Sequence, residues 1–149
     1  MRLIGFNFTK IAAERKPILQ PGMNINTNIE FTNVEEDKVD MLKDKTPLKI
    51  TFSQVVTYSS SKDTKKQEEL AKLTFEGSML LAASGEDAKG LMKSWKKKDI
   101  PQGAKIPLFN IIMAKCSVKA LELQEQLNLP FHPQLPRLSL QTQTVEQKK

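Results

Sequence analysis

Four segments with a two-residue hydrophobic period precede any helical pattern, and this order constrains the fold more than any other feature of the sequence. Such a period describes a β-strand with one apolar and one polar face. The segments comprise residues 3–11, 24–33, 48–59 and 72–83. The residues between them are short or polar stretches without a convincing crossover helix, which parallel strands need. The sequence therefore predicts a four-stranded antiparallel meander. Gly77, within the fourth segment, indicates a bulge or a close neighbour.

A helical period begins after the fourth segment. Ser84 or Gly85 is the expected N-cap, with Glu86 and Asp87 in the first turn. Lysines 96–98 end the helix, where positive charge complements the helix dipole. Pro101 and Gly103 then interrupt the chain. The sequence thus predicts a short helix before a longer one.

The longer helix is predicted to start at Ile106, with Pro107 at its first helical position, and to end near Asn128. Its apolar residues occupy more than one stripe. A helix that is apolar over so much of its circumference must pack on more than one surface. One surface is the sheet, and a second copy of the chain is the candidate for the other. The corresponding interface candidates are Ile111, Val118 and Leu121.

Length and composition indicate one domain, and the order of periods makes it α+β; we predict a folded part over residues 1–138 and a flexible tail over residues 139–149. The 149 residues include a single cysteine and a single histidine, which excludes an internal disulfide and makes a zinc cluster within one chain nearly impossible. The N-terminal residues lack a signal-peptide pattern, and no apolar run is long enough to span a bilayer. We therefore expect a cytoplasmic protein without membrane insertion.

Motifs for common enzyme classes are absent from the sequence. It contains no GxxxxGK[ST], GxGxxG or GxSxG pattern. His132 lies in a proline-rich stretch without a recognisable catalytic partner, and Cys116 lies on the apolar stripe of the long helix, as a buried small side chain would. We expect neither catalysis nor a cofactor or metal.

The net charge of +6 is compatible with binding to an anionic partner. In an alternative function, the lysine-rich residues 93–98 would bind nucleic acid phosphates while aromatic side chains stack on bases. Phe6, Phe8, Phe31 and Trp95 would be the stacking residues, although core packing explains the phenylalanines better. A third, weaker hypothesis is a carrier of a small apolar ligand.

The order of four strands, a short helix and a long helix resembles the SecB-like chaperone family. The most specific part is the stretch IPLFNIIMAKCSVKALELQEQLNLPFHPQLPRL, residues 106–138. In the family, a sequence such as FPYAR opens the last long helix and a stretch similar to FPQLNL follows it. The comparable residues here are Pro107, Phe131, Pro133, Gln134 and Leu135. The resemblance implies a sheet with both helices on one face.

The resemblance also implies a function. Members of the family are tetramers, built as dimers of dimers, that hold unfolded or nascent polypeptides in apolar grooves without nucleotide. Such binding needs exposed apolar surface and extended edges rather than catalytic groups. On this basis, the candidate client-binding residues are Phe6, Phe8, Ile29, Phe31, Trp95, Leu129 and Phe131.

Two features differ from the family pattern. Bacterial members use an acidic sheet surface to dock the motor SecA, whereas this chain is basic, with Lys49 and Lys72 on its strands. The final stretch LSLQTQTVEQKK has no apolar period, while family members carry a further short amphipathic helix there. Docking to SecA is therefore not expected. Export substrates, antitoxins and general clients all remain open as the polypeptides that the chain would hold.

Overall fold

The computed structural model describes residues 1–17, 22–38, 44–60 and 68–132, which form four strands and two helices. The strands are β1 (Arg2–Arg15), β2 (Asn24–Glu36), β3 (Thr46–Ser59) and β4 (Glu69–Ala83). The helices are α1 (Gly85–Lys96) and α2 (Gln102–Gln126). All strand pairs are antiparallel, which confirms the predicted α+β class and order of elements. The predicted tail, residues 139–149, and the domain limit at residue 138 lie outside the described residues.

The strand order is β1-β4-β3-β2, so the predicted meander holds only for β2, β3 and β4. β1 pairs with β4 at the far edge, which gives a Greek-key order. The aromatic side chains explain this choice of partner. The ring of Phe6 lies 5.2 Å from that of Phe52, and the ring of Phe8 lies 6.3 Å from that of Phe75, measured between centroids. These contacts form only when β1 lies beside β4.

Gly77 allows β1 to approach β4. It pairs with Phe8 on one side and Phe52 on the other. A Cβ atom at this position would clash with the carbonyl oxygen of Asn7 and come within 3.1 Å of the Cα of Phe8. A register shift in β1 lies next to this point, between Phe8 and Lys10. The close neighbour expected from the sequence is therefore the backbone of β1.

Replacing Gly77 by alanine should weaken the β1–β4 pairing. Because the clash is with backbone, a side-chain rotation cannot relieve it, and we expect a loss of about 3 kcal/mol in the free energy of unfolding. Urea denaturation of Gly77→Ala measures this loss. Gly85→Ala serves as the control, because a Cβ atom there meets nothing within 4 Å. Equal stability of the two variants would contradict the explanation.

The core lies between one face of the sheet and the two helices. Alternate residues of β3 and β4 point into it, and the largest apolar ones are Leu48, Ile50, Phe52, Val56, Tyr58, Leu73, Phe75, Met79 and Leu81. The helices contribute Ala88 and Leu91 from α1 and a four-residue repeat from α2. Both helices therefore cover the same face, as the resemblance implied.

The two helices begin with different N-cap residues. Ser84 is the N-cap of α1, and its Oγ accepts a hydrogen bond from the backbone amide of Asp87 at 3.2 Å, as predicted. The predicted start of α2 at Ile106 is wrong. The helix begins at Gln102 with Pro101 as its N-cap, and Pro107 lies inside the helix. Proline has no backbone N–H, and the N-cap position does not need one for the helix. Gly103 does not prevent the early start, because a glycine destabilises a helix by only about 1 kcal/mol relative to alanine.

Candidate functional site

An open groove of about 340 Å³ lies between edge strand β2 and the facing ends of α1 and α2. We call it the α1–α2 groove. Its apolar lining consists of Ile29, Phe31, Trp95, Ile100 and Phe109. Lys98 and Lys105 form its basic rim. The groove thus has an apolar floor with positive charge beside it.

The fold brings this lining together from distant parts of the sequence. Phe31 is opposite Phe52 in the sheet and so faces the helices, where its ring centroid lies 4.9 Å from that of Phe109. Trp95, near the end of α1, is half-buried, and the Nζ of Lys98 lies 4.1 Å from its ring centroid. A cation at this distance is attracted to the indole face.

The sequence predicted part of this groove. Ile29, Phe31 and Trp95 were candidates and do lie together. Phe109 and Lys98 are not among the candidates, because in the sequence Phe109 is one of several apolar residues of the long helix and Lys98 is one of the lysines that end the short helix. Hydrophobic periodicity could not separate Phe109 from the core, because a half-buried position at the border of a stripe has the same spacing as a buried one.

A second apolar surface follows the free edge of the sheet. We call Ile4, Phe6, Phe8 and Ile11 the β1 edge surface. Phe6 and Phe8 are half-buried and pack edge to face with ring centroids 5.2 Å apart, while Ile11 remains 43% exposed. Among the described residues, no further strand lies beside β1, and an edge of this kind offers its outer backbone groups to another chain.

Helix α2 carries a third apolar surface, which we call the outer stripe: Ile111, Ala114, Val118 and Leu121. Its buried residues recur every four positions, at Leu108, Ile112, Cys116, Ala120 and Gln124. At 100° per residue, Ala114 and Val118 lie about 180° around the helix axis from the buried residues nearest to them, whereas Ile111 and Leu121 lie about 80° from theirs. Val118 is 60% exposed, whereas Ile111 and Leu121 are half-buried. Of the three predicted interface candidates, Val118 points away from the core, whereas Ile111 packs partly against the core and Leu121 is half-buried.

The residues after α2 are fixed to the domain by a Schellman motif. The amide of Leu129 bonds to the carbonyl of Gln124, and Asn128 has a φ of 52°. The guanidinium of Arg15 adds a hydrogen bond of 2.8 Å to the carbonyl of Leu127. Leu129 is only 5% exposed and belongs to the core, whereas Phe131 is 45% exposed. Of these two client-binding candidates, only Phe131 is accessible without a local opening.

Hydrogen bonds from the buried Tyr58 and Gln124 also hold the residues after α2 against the domain. The hydroxyl of Tyr58 donates a hydrogen bond to the carbonyl of Pro130 at 2.5 Å. The amide nitrogen of Gln124 donates to the Tyr58 hydroxyl at 2.6 Å and lies 2.7 Å from Nδ1 of His132. With this amide nitrogen as the donor, Nδ1 accepts the bond, which corresponds to a neutral imidazole.

Acidification should therefore weaken the attachment of His132. Burial lowers the pKa of His132 below its ordinary 6.5, so the unfolded chain binds a proton first as the pH falls. The stabilisation is complete above the unfolded pKa and is lost as the pH falls through the folded one. Urea denaturation at about pH 7.5 and about pH 5.5 should show a larger loss for the wild type than for His132→Gln. The chain has one histidine, so an equal loss in both proteins would contradict this assignment.

Catalytic and metal sites receive no support from the described residues. Burial raises the pKa of Cys116 to about 12, which makes this thiol a poor nucleophile. Within the described ranges, no three His, Cys, Asp or Glu side chains are placed to hold a metal ion. Among those ranges, neither helix is long and apolar enough to cross a bilayer.

The fold is similar to that of a protein of known structure. The chain is similar to the SecB-like chaperone Rv1957 of Mycobacterium tuberculosis, with a TM-score of 0.50 over 93% of this chain and 90% of that one. The fold is SecB-like. Sequence identity is 15%, and the mycobacterial chaperone was solved in complex with a ChAD peptide from the Rv1956 HigA1 antitoxin. No family model and no curated protein sequence matches the chain.

Proposed function

We propose that this protein is a holdase chaperone that binds non-native polypeptides without nucleotide and without catalysis. The observation that carries the proposal is apolar surface left open beside a complete core. The α1–α2 groove and the β1 edge surface both expose aromatic or aliphatic side chains. Contiguous apolar surface of this kind is typical of interaction sites. The SecB-like fold supports the same interpretation.

The energetics require a long client segment. One fully buried apolar side chain contributes about 2 kcal/mol, whereas association alone costs about 4 kcal/mol or more. A single contact therefore cannot hold a client, but several apolar side chains in one extended segment can. The outer edges of β1 and β2, which pair with no other described strand, add backbone groups for such a segment. Unfolded chains meet this requirement, and folded proteins with buried apolar side chains do not.

Self-association forms part of the proposal. The outer stripe would pack against a second copy of the chain, and a dimer of dimers is the arrangement that the family resemblance implies. Assembly would extend each apolar surface beyond one subunit. We place the protein in the cytoplasm, where reduced thiols such as Cys116 are normal.

The client is a polypeptide in this proposal. The mycobacterial chaperone of the same fold was solved with a peptide from an antitoxin. An antitoxin, an export substrate or a broad set of unfolded proteins would fit the surfaces described above. Delivery to SecA is not part of the proposal, because Lys49 and Lys72 lie on the open sheet face.

Aggregation assays test the function directly. A chemically denatured client protein is diluted into buffer with and without this protein, and light scattering is followed in the absence of nucleotide. We expect scattering to fall in proportion to the amount of chaperone added. Unchanged scattering at a large molar excess would overturn the proposal.

Nucleic-acid binding remains the alternative, because α1 ends in a group of exposed lysines. The sheet does not favour it. Among the described strand residues, every aromatic side chain belongs to the set that faces the helices, so the open face offers no stacking surface. Fluorescent single strands and duplexes test this function, since binding through phosphates weakens steeply with salt.

A further inference from the structure

Positive charge surrounds the α1–α2 groove. Lys98 and Lys105 line it, and the exposed Lys93, Lys96 and Lys97 occupy the adjoining end of α1. Glu30 is the one acidic residue in the lining. Its side chain alternates with those of Ile29 and Phe31 and so belongs to the opposite face of β2. Asp99, between Lys98 and Ile100 in the chain, is a second acidic residue nearby, and the five lysines outnumber these two acids, so the charge around the groove is positive on balance.

Lys98 shows a second, independent feature. It has a φ of 57°, in the left-handed region, where the Schellman motif that ends α1 would ordinarily have glycine. Compensation of the helix dipole does not require this conformation, because Lys93 and Lys96 already lie in the last turn. The left-handed backbone belongs to the Schellman motif, and the amine of the residue in this position lies over the ring of Trp95. Lys105 has the same relation to Phe109, with 5.8 Å between its Nζ and the ring centroid.

These two amines lie where apolar client side chains would bind. Apolar surroundings strengthen the attraction between opposite charges, because they lower the local dielectric constant. When a client segment has a carboxylate next to an apolar side chain, the apolar side chain would contact the floor and the carboxylate would contact the basic rim. A lysine or arginine at the same place would be repelled.

We propose that the α1–α2 groove selects extended polypeptide segments in which aspartate or glutamate flanks aromatic or aliphatic residues. This inference rests on the proposed holdase function and specifies its client. The chain's own residues 133–149 do not fit this description, because they include Arg137, Lys148 and Lys149 but only Glu146 as an acid. The proposed occupant is a partner polypeptide, whose acidic residues would complement Lys98 and Lys105 at the rim of the groove.

Two labelled peptides test the selection. They share the same aromatic and aliphatic residues and differ only in having glutamate or lysine at the flanking positions. Fluorescence anisotropy gives their affinities at about 0.02 M and about 0.5 M salt. We expect the glutamate peptide to bind at least about tenfold more tightly at low salt, with a smaller ratio at high salt.

Variants locate the origin of this preference. The double variant Lys98→Gln with Lys105→Gln should reduce the ratio to about threefold or less, and Lys98→Arg with Lys105→Arg should restore it. The matched control is Lys10→Gln with Lys72→Gln, which removes the same charge from the other face of the sheet. An equal reduction in the control would assign the preference to net charge and overturn the inference.

The peptide and aggregation assays separate two kinds of failure. If neither peptide binds and aggregation is not suppressed, the holdase function itself is wrong. If aggregation is suppressed and both peptides bind equally, only the selection for acidic segments is wrong. Circular dichroism of each variant confirms that the compared proteins are folded.

Discussion

The double variant Trp95→Ala with Phe109→Ala is expected to bind an unfolded client at least about tenfold more weakly than the wild type. Trp95 and Phe109 belong to the floor of the α1–α2 groove. Loss of one buried apolar contact of about 2 kcal/mol already exceeds the 1.4 kcal/mol that corresponds to a tenfold change. Anisotropy of a labelled, permanently unfolded client gives the affinity, and the aggregation assay should show a parallel loss.

The matched control for this variant is Ile106→Ala with Met113→Ala. These side chains are exposed apolar residues of α2 that do not line the groove. Trp95 and Phe109 also pack against the core, so the double variant can lose stability. Phe109→Leu is a milder substitution that should leave the protein folded. Wild-type affinity in a folded groove variant, or an equal loss in the control, would show that clients bind elsewhere.

Val118→Asp is expected to reduce the mass of the protein in solution by a factor of about two or more. Val118 is 60% exposed on the outer stripe and points away from the core. A carboxylate at the centre of an apolar interface would be buried without a partner, at a cost of several kcal/mol, and would separate the subunits. A substitution at such an exposed position should leave the folded monomer nearly as stable as before. Light scattering coupled to size exclusion measures the mass.

The control for the assembly experiment is Met113→Asp. Met113 is 47% exposed on the same helix but does not belong to the outer stripe. Dissociation by Val118→Asp alone would support the outer stripe as the interface. Dissociation by Met113→Asp alone would place the interface on another face of α2. A wild-type monomer would contradict self-association altogether.

The candidate surfaces were predictable from the sequence only in part. Ile29, Phe31 and Trp95 were selected as apolar residues at strand and helix positions, and the fold places them in one groove. Leu129 had the same character, yet it is a core residue. Lys98 lines the groove from the turn that ends α1, and its left-handed backbone there is not visible in any periodicity. Local patterns report that a residue is apolar or charged, whereas its accessibility depends on which distant element covers it.

The sequence by itself determined the identity of the elements and their buried faces. Alternation along a strand and capping at Ser84 are local properties, set by backbone geometry and by hydrogen bonds between near neighbours. Only the tertiary structure decided that β1 pairs with β4 and that Phe31 meets Phe109 across the groove. Pairing between distant segments depends on how well their whole surfaces pack, here on the aromatic rings around Gly77. The sequence of one segment does not show how well it packs against another.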